Sequence, residues 1–126
     1  MTNVLNKNKD KLIVGNITSR SVYATIINRA YYSAYSYVVL WLKEMYFFSF
    51  KSHDYFRANN LKYITEHKQV RNALKDYGLE RYSFILAKLH NLRKKADYYL
   101  DEELTKNELI KSIDFMNYIV KNLSLE

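Results

Sequence analysis

The 126-residue sequence contains no cysteine and no proline, and it has only two glycines. The absence of cysteine excludes disulfide bonds and thiolate chemistry, and nothing indicates an oxidising compartment. Long apolar runs are also missing, because the longest, VVLWL, is far shorter than the roughly 20 residues that a membrane span requires. The first residues of the chain include no apolar signal segment. We therefore expect a cytoplasmic protein that is neither secreted nor inserted in a membrane.

Signatures of common catalytic sites are absent as well. No glycine-rich loop is present to cradle a phosphate, and no serine stands in a nucleophile elbow. The three histidines, His53, His67 and His90, are far apart in the chain and have no familiar metal-binding spacing to carboxylates. We expect neither a metal site nor a cofactor.

Positive charge is in excess, with 20 lysines and arginines against 13 aspartates and glutamates and a formal net charge of +7. A basic surface attracts polyanions, so an acidic partner is one interpretation of this balance. The other interpretation is a compositional bias toward lysine, asparagine, isoleucine and tyrosine. The 13 tyrosines suit buried interfaces as well as stacking platforms.

The spacing of apolar residues predicts an all-α fold in a single domain over residues 1–126. We expect helices over residues 3–14, 19–46, 61–77 and 80–99, and a last one after Thr105. Four amphipathic helices with mostly short loops predict an antiparallel bundle, with the N-terminal helix packed alongside. The core-facing stripe of the longest helix is expected to be Val22, Ile26, Ala30, Ala34, Tyr37, Trp41 and Met45.

Several residues predict where these helices begin and end. Gly15 and Gly78 each follow an apolar helical segment and are expected at left-handed C-cap positions. Asn59 or Asn60 is expected to cap the third helix after the aperiodic segment FFSFKSHDYFRANN. Thr105 and Glu108 have the spacing of a capping box for the last helix.

Charged residues near the predicted core suggest a network between helices. Arg93 and Asp97 are four residues apart and therefore neighbours on one helix face. Arg29 interrupts the apolar face of the longest helix, where a cation needs a carboxylate unless it stays solvated. We expect Arg29, Asp97 and Arg93 to form one network. His67 lies three residues from both Ile64 and Val70, so it is either a structural histidine at the core edge or a functional group in a cleft.

Other basic residues recur at helical spacing on the third and fourth helices. Side by side, the two stripes would form a basic groove suited to a nucleic-acid backbone. Two solvated helix faces are the alternative. The residues of these stripes are Arg81, Lys88 and Lys95 on the fourth helix, and Lys68, Arg71 and Lys75 on the third.

Three segments together carry a family resemblance. INRAYYSAYSYV lies in the longest helix, EHKQVRNAL follows, and LHNLRKKADYYL precedes the capped last helix. Over roughly residues 20–124 this order resembles the HEPN superfamily of small helical bundles, in the branch with a late R-x-x-A-D-Y motif. The positions that match this branch are Arg29, Tyr31, Tyr32, His67, Arg93, Asp97 and Tyr98.

The resemblance implies a four- or five-helix up-and-down bundle that forms homodimers. Many HEPN proteins are metal-independent ribonucleases of toxin–antitoxin or phage-defence systems, often encoded beside a nucleotidyltransferase that neutralises them. Their active site pairs an arginine with a later histidine, with four to six residues between the two. The arginine can stabilise charge on the scissile phosphate while the histidine moves a proton.

The sequence departs from this pattern, because none of its arginines is followed by a histidine at that spacing. Three hypotheses therefore stay open. As a ribonuclease, the protein would use Arg93, Asp97 and His67 for catalysis. As a binding protein, it would contact RNA, a nucleotide or a nucleotidyltransferase without cleaving anything. As a structural or interaction dimer, its motif, including Arg29, Tyr31, Tyr32 and Tyr98, would only stabilise the bundle. The missing histidine favours the last two hypotheses.

Overall fold

The computed structural model describes the backbone of residues 4–126 and the side chains of residues 19–126. These residues form five α-helices packed together, and no strand occurs among them, so the all-α prediction is confirmed. The helices are α1 (Val4–Tyr46), α2 (His53–Ala58), α3 (Glu66–Asp76), α4 (Glu80–Tyr98) and α5 (Lys106–Leu123). Within this described part, none of the helices combines the length and the apolar character needed to cross a membrane.

Helix α1 runs without a break for 43 residues. The prediction of two helices separated at Gly15 is therefore wrong, and residue 3, where the first was expected to start, lies outside the described backbone. A glycine inside a helix costs only about 1 kcal/mol relative to alanine, so it does not by itself end one.

The buried face of α1 differs from the predicted one by about one position at most points. Ala30 and Ala34 are buried as expected, but Val22 and Met45 are 48% and 53% exposed. Most positions of this segment are apolar or aromatic, so more than one stripe satisfies the helical period. The residues that the bundle buries are Ile27, Ala30, Tyr31, Ala34, Val38 and Leu42.

The core lies between α1, α4 and α5, and α3, which packs mainly against α4, adds Val70, Ala73 and Leu74 to it. Leu86 and Leu89 of α4 and Ile119 of α5 are fully buried in it. A smaller cluster joins Ile27 of α1 to Ala96 of α4 and to Leu104 in the following loop. α1 therefore contributes to both apolar clusters.

Arg20 of α1 holds the carboxyl end of α4. Its Nε donates to the carbonyl oxygen of Glu102 at 3.0 Å and its Nη2 donates to that of Tyr99 at 2.9 Å. Longer hydrogen bonds reach the carbonyls of Ala96 and Lys95 at 3.3 and 3.4 Å. The last carbonyls of a helix have no partner within it, and a cation is favourable at that end. Arg20 thereby ties α1 to the end of the R-x-x-A-D-Y segment.

The connection from α1 to α3 contains the short helix α2. α3 begins at Glu66 and not at residue 61, because the side chain of Thr65, rather than Asn59 or Asn60, caps it by accepting from the backbone N–H of Lys68. The expected asparagine cap is therefore wrong.

The buried amide of Gln69 fixes the start of α3 against this connection. Its Oε1 accepts from the backbone N–H of Lys51 at 2.7 Å, and its Nε2 donates to the carbonyls of Lys51 and Ile64 at 3.0 and 2.7 Å. These three hydrogen bonds fix the position and orientation of the buried amide.

Two predicted helix ends are confirmed. Gly78 has a φ of 76°, and the N–H groups of Gly78 and Leu79 donate to the carbonyls of Lys75 and Leu74, as in a Schellman motif. Thr105 and Glu108 form the expected capping box at the start of α5. α4 also has nearly the predicted bounds.

Candidate active site

Two histidines from different helices stack face to face. The ring centroids of His67 on α3 and His90 on α4 are 4.7 Å apart and the ring planes differ by 14°. The fully buried ring of Tyr31 on α1 stacks on His90 at 4.9 Å. Tyr35, one turn further along α1, approaches His67 at 4.7 Å. The cluster is therefore assembled from three helices, and no single helix contains it.

Hydrogen bonds hold both imidazole rings by their Nδ1 atoms. The hydroxyl of Tyr31 is hydrogen-bonded to His67 Nδ1. Arg71 Nη1 donates to His90 Nδ1 at 3.2 Å. Because a guanidinium only donates, His90 Nδ1 must carry the lone pair and Nε2 the hydrogen. The Nε2 atoms make no hydrogen bond with the residues that the structure describes, so they are the ring atoms left for a substrate.

The surroundings keep both histidines neutral at physiological pH. Burial lowers the pKa of His90 from 6.5 to about 4, and His67, Lys94, Arg71 and Arg93 act in the same direction. Burial also lowers the pKa of His67, with Arg93 and Arg71 acting likewise. Two imidazoles in contact cannot both take a proton without mutual repulsion.

Tyr31 is held as a neutral phenol. Its burial is the main cause of a raised pKa, and the neighbouring Tyr35 adds to the effect. Burial likewise raises the pKa of Tyr35 to about 12. At neutral pH the buried centre of the cluster thus carries no charge of its own.

Arg93 brings a positive charge to the rim of this cluster. Its Nε lies 2.9 Å from Asp97 Oδ2, although the direction of the buried N–H does not make this contact a hydrogen bond. The guanidinium carbon is 5.3 Å from the ring centroids of both Tyr32 and Tyr98, a cation–π distance. Arg93 is therefore held by one carboxylate and two aromatic rings.

The prediction that two arginines surround Asp97 is wrong for Arg29. Arg29 is exposed on α1, and no bond to Asp97 is formed by it among the described residues. Asn28, the residue before it, donates from Nδ2 to Asp97 Oδ2 at 2.9 Å. An amide links the two helices without requiring a second buried cation. Arg93 and Asp97 pair as predicted.

The sequence-predicted candidates largely converge. His67, Tyr31 and Tyr32 lie together, since the His67 and Tyr32 ring centroids are 6.4 Å apart, and Tyr32 in turn contacts Arg93. Tyr98 covers the other side of Arg93 and is 65% exposed. Asp97 joins the group through Arg93, whereas Arg29 does not.

The two predicted basic stripes do not form one groove. Arg81 Nη1 donates to the hydroxyl of Tyr118 at 2.9 Å, and Lys95 Nζ lies 2.8 Å from Glu108 Oε2, so both side chains contact α5. Arg71 and Lys75 instead line an open groove between α3 and α4. Lys68 is exposed on α3, and Lys88 Nζ lies over the Phe84 ring.

Sequence reasoning missed His90 and the role of Arg71. His90 lies three residues before Arg93 and seven before Asp97, so helical spacing alone places these three residues on one face. Arg71 lies four residues after His67 in the same way. Each of the two helices thus presents a histidine followed within one turn by an arginine, the reverse of the order expected from the family.

The arrangement suits proton transfer beside an anion. Two neutral imidazoles can each accept a proton or donate a hydrogen bond, and two guanidiniums flank them with positive charge. Among the described residues no three side chains of histidine, aspartate or glutamate are grouped as ligands for a metal ion.

The chain was compared with protein-family models, with curated proteins and with solved structures, and none of the three comparisons finds a match.

Proposed function

We propose that this protein is a HEPN-type ribonuclease that cleaves RNA without a metal ion at the stacked pair of His67 and His90. The observation that carries the proposal is a pair of neutral imidazoles between Arg71 and Arg93, each ring held through Nδ1 with Nε2 left for a substrate. Phosphodiester cleavage in RNA needs a base for the 2′-hydroxyl and positive charge on the phosphate, and this cluster supplies both.

His67 would act as the general base. In the tautomer whose Nδ1–H donates to the Tyr31 hydroxyl, its Nε2 accepts the proton of the 2′-hydroxyl, whose oxygen then attacks the adjacent phosphorus. The bond from phosphorus to the 5′-oxygen breaks, and the same proton passes from His67 to that oxygen. The products are a 2′,3′-cyclic phosphate and a 5′-hydroxyl, with no net gain or loss of protons.

The other members of the cluster would stabilise the charge of the transition state. The Nε2–H of His90 donates to a non-bridging oxygen, and Arg71 and Arg93 balance the growing negative charge. Asp97 does not serve as an acid in this scheme, because it is paired with Arg93 and bonded to Asn28. It positions Arg93 instead.

The biological context of the proposal rests on the HEPN resemblance. We place the protein in the cytoplasm as a homodimer in a toxin–antitoxin or phage-defence system, with a nucleotidyltransferase as a partner. An antiparallel bundle is part of the same proposal. It is supported by hydrogen bonds that join Tyr82 near the start of α4 to Glu126 beyond α5, and Lys95 near the end of α4 to Glu108 at the start of α5.

A non-catalytic dimer is the second candidate, and one observation favours it. Arg93 is held between Asp97, Tyr32 and Tyr98, as a residue that stabilises the bundle would be. In that case the cluster stabilises the contact of α1, α3 and α4, and the protein binds a partner without cleaving RNA.

Incubation with single-stranded and structured RNA in excess chelator separates the two candidates. We expect the wild-type protein to cut RNA to 2′,3′-cyclic phosphate ends, and a 2′-deoxy substitution at the cleaved position to prevent cutting. His67→Asn should lower kcat by a factor of about 10² to 10⁴, the usual contribution of a general base.

The matched control is His53→Asn, because His53 is exposed on α2 and stacks on Tyr63 outside the cluster. It should cut at the wild-type rate. RNA that stays intact with well-folded wild-type protein would refute the nuclease and leave the non-catalytic dimer.

A further inference from the structure

An open groove of about 430 Å³ lies between α3 and α4 beside the histidine pair. It is lined by Arg71, Lys75, Glu80, Ser83, Phe84 and Ala87. Arg71 also donates to His90, so one guanidinium belongs to both the groove and the imidazole cluster. A chain of nucleotides that placed a phosphate at the histidines would therefore continue along this groove.

Phe84 presents a large apolar ring on the surface of α4. It is 62% exposed, and Lys88 Nζ lies 4.5 Å from its ring centroid. A large exposed apolar ring next to cations is the combination with which proteins bind single-stranded nucleic acid, because bases stack on the ring while cations hold the phosphates.

The charge of the groove fits a polyanion. Arg71 and Lys75 line the groove together with Phe84, Lys88 Nζ lies over the Phe84 ring, and Glu80 is the one carboxylate of the lining. The positive charges outnumber the negative one, so the groove attracts a phosphodiester chain. Glu80 repels an acidic group that lies close to it.

We propose that the groove between α3 and α4 binds single-stranded RNA next to the cleaved bond, with one base stacked on Phe84 and phosphates held by Lys75 and Lys88. This inference rests on the proposed function for the identity of the ligand. The groove would then select single-stranded over double-stranded RNA, since a paired base is not free to stack on Phe84.

Binding of a fluorescent 12-nucleotide 2′-O-methyl RNA tests the groove without cleavage, because the blocked 2′-oxygen cannot attack. Anisotropy should give about tenfold weaker binding for Phe84→Ala, the lower range for loss of one base stack. Phe84→Tyr should bind like the wild type. Phe47→Ala is the matched control, because Phe47 is 90% exposed but lies outside this groove, and its affinity should be unchanged.

The salt dependence tests the phosphate contacts. Replacing Lys75 and Lys88 by methionine should flatten the plot of log affinity against log salt by about 0.7 per lost contact. The affinity for long-chain polyphosphate, which has charge but no bases, should be the same for the wild type and Phe84→Ala.

Each outcome bears on one of the two proposals. Equal RNA affinity of wild type and Phe84→Ala, or no binding of the 12-mer at all, overturns the groove proposal. Tight binding that depends on Phe84, together with RNA that is never cut, overturns the nuclease and keeps the groove. Cleavage with a KM that Phe84→Ala leaves unchanged keeps the nuclease and overturns the groove.

Discussion

Acidification is expected to destabilise the fold through His90. In the unfolded chain a histidine takes up a proton near pH 6.5, whereas in the folded protein the pKa of His90 is lowered to about 4. Between these two values the unfolded state binds more protons than the folded state, so stability falls as the pH falls. The effect is absent above about pH 6.5 and becomes constant below about pH 4.

The magnitude follows from the two pKa values. Each pH unit between them is worth about 1.4 kcal/mol, so the full effect is about 3 kcal/mol. Between about pH 7.5 and pH 5 the expected loss is about 2 kcal/mol, because His90 is still mostly neutral in the folded protein at pH 5. The lowered pKa of His67 acts in the same direction and adds to the loss.

Urea unfolding followed by circular dichroism at the two pH values measures this loss. The variant His90→Asn removes the titrating ring, so it should lose about 2 kcal/mol less than the wild type on acidification. Carboxylates titrate equally in both proteins and cancel in the comparison. His53→Asn, at the exposed histidine on α2, should lose as much as the wild type.

Equal losses in His90→Asn and in the wild type would show that His90 is not held neutral by its burial among Tyr31, His67, Arg71 and Arg93. A wild type whose stability did not change between the two pH values would contradict the argument for both stacked rings. The second result would also show that burial does not lower the pKa of His67 in the folded protein.

Two further predictions concern stability alone. Arg20→Met should lower the free energy of unfolding by about 2 kcal/mol in urea titrations, because four carbonyl oxygens at the end of α4 lose a charged donor. Arg57→Met, whose ion pair with Asp54 is almost fully exposed, should change it by less than about 0.5 kcal/mol, and equal effects would contradict this role of Arg20. Gly78→Ala should lower the free energy of unfolding by about 1 kcal/mol and the melting temperature accordingly, because the φ of residue 78 is positive. Nothing crowds the added Cβ, so the conformation of the backbone is the cause. Gly78→Asn should lower the melting temperature less, and an unchanged melting temperature in Gly78→Ala would show that the turn relaxes.

Features that depend on neighbouring residues could be predicted from the sequence. Thr105 and Glu108 satisfy each other within one turn, and Gly78 adopts its positive φ to end α3, so both could be located without knowing the rest of the fold. The pair of Arg93 and Asp97 is local in the same sense. The all-α class follows from the helical period alone.

Features that depend on tertiary packing could not be predicted from the sequence. The residues of α1 are apolar on several sides, and only the presence of α4 and α5 decides that Ile27, Val38 and Leu42 point inward. The start of α3 depends on Thr65 and on the amide of Gln69, which is hydrogen-bonded to the backbone of Lys51, 18 positions away. Local spacing contains no information about such distant partners.

The candidate site was predictable only in part for the same reason. His67, Arg93 and Asp97 were found because a family resemblance and helical spacing both mark them. His90 has neither a local partner nor a matching family position, and its importance appears only when α3 places His67 against it. Arg29 interrupts the apolar face of α1 and is therefore predicted to pair with Asp97, but the adjacent amide of Asn28 is the side chain that reaches this carboxylate.

The histidine cluster depends on α3, and this dependence determines how the cluster can be taken apart. α3 packs mainly on α4 and reaches α1 through the contacts of His67 with Tyr31 and Tyr35, while α1, α4 and α5 make most of the other contacts of the larger core. Partial opening of α3 would separate His67 and Arg71 from His90 and Arg93 while most of the bundle stayed folded. Because the cluster holds its two imidazoles as neutral rings, their protonation would favour this opening, so acid would shorten the lifetime of the assembled cluster.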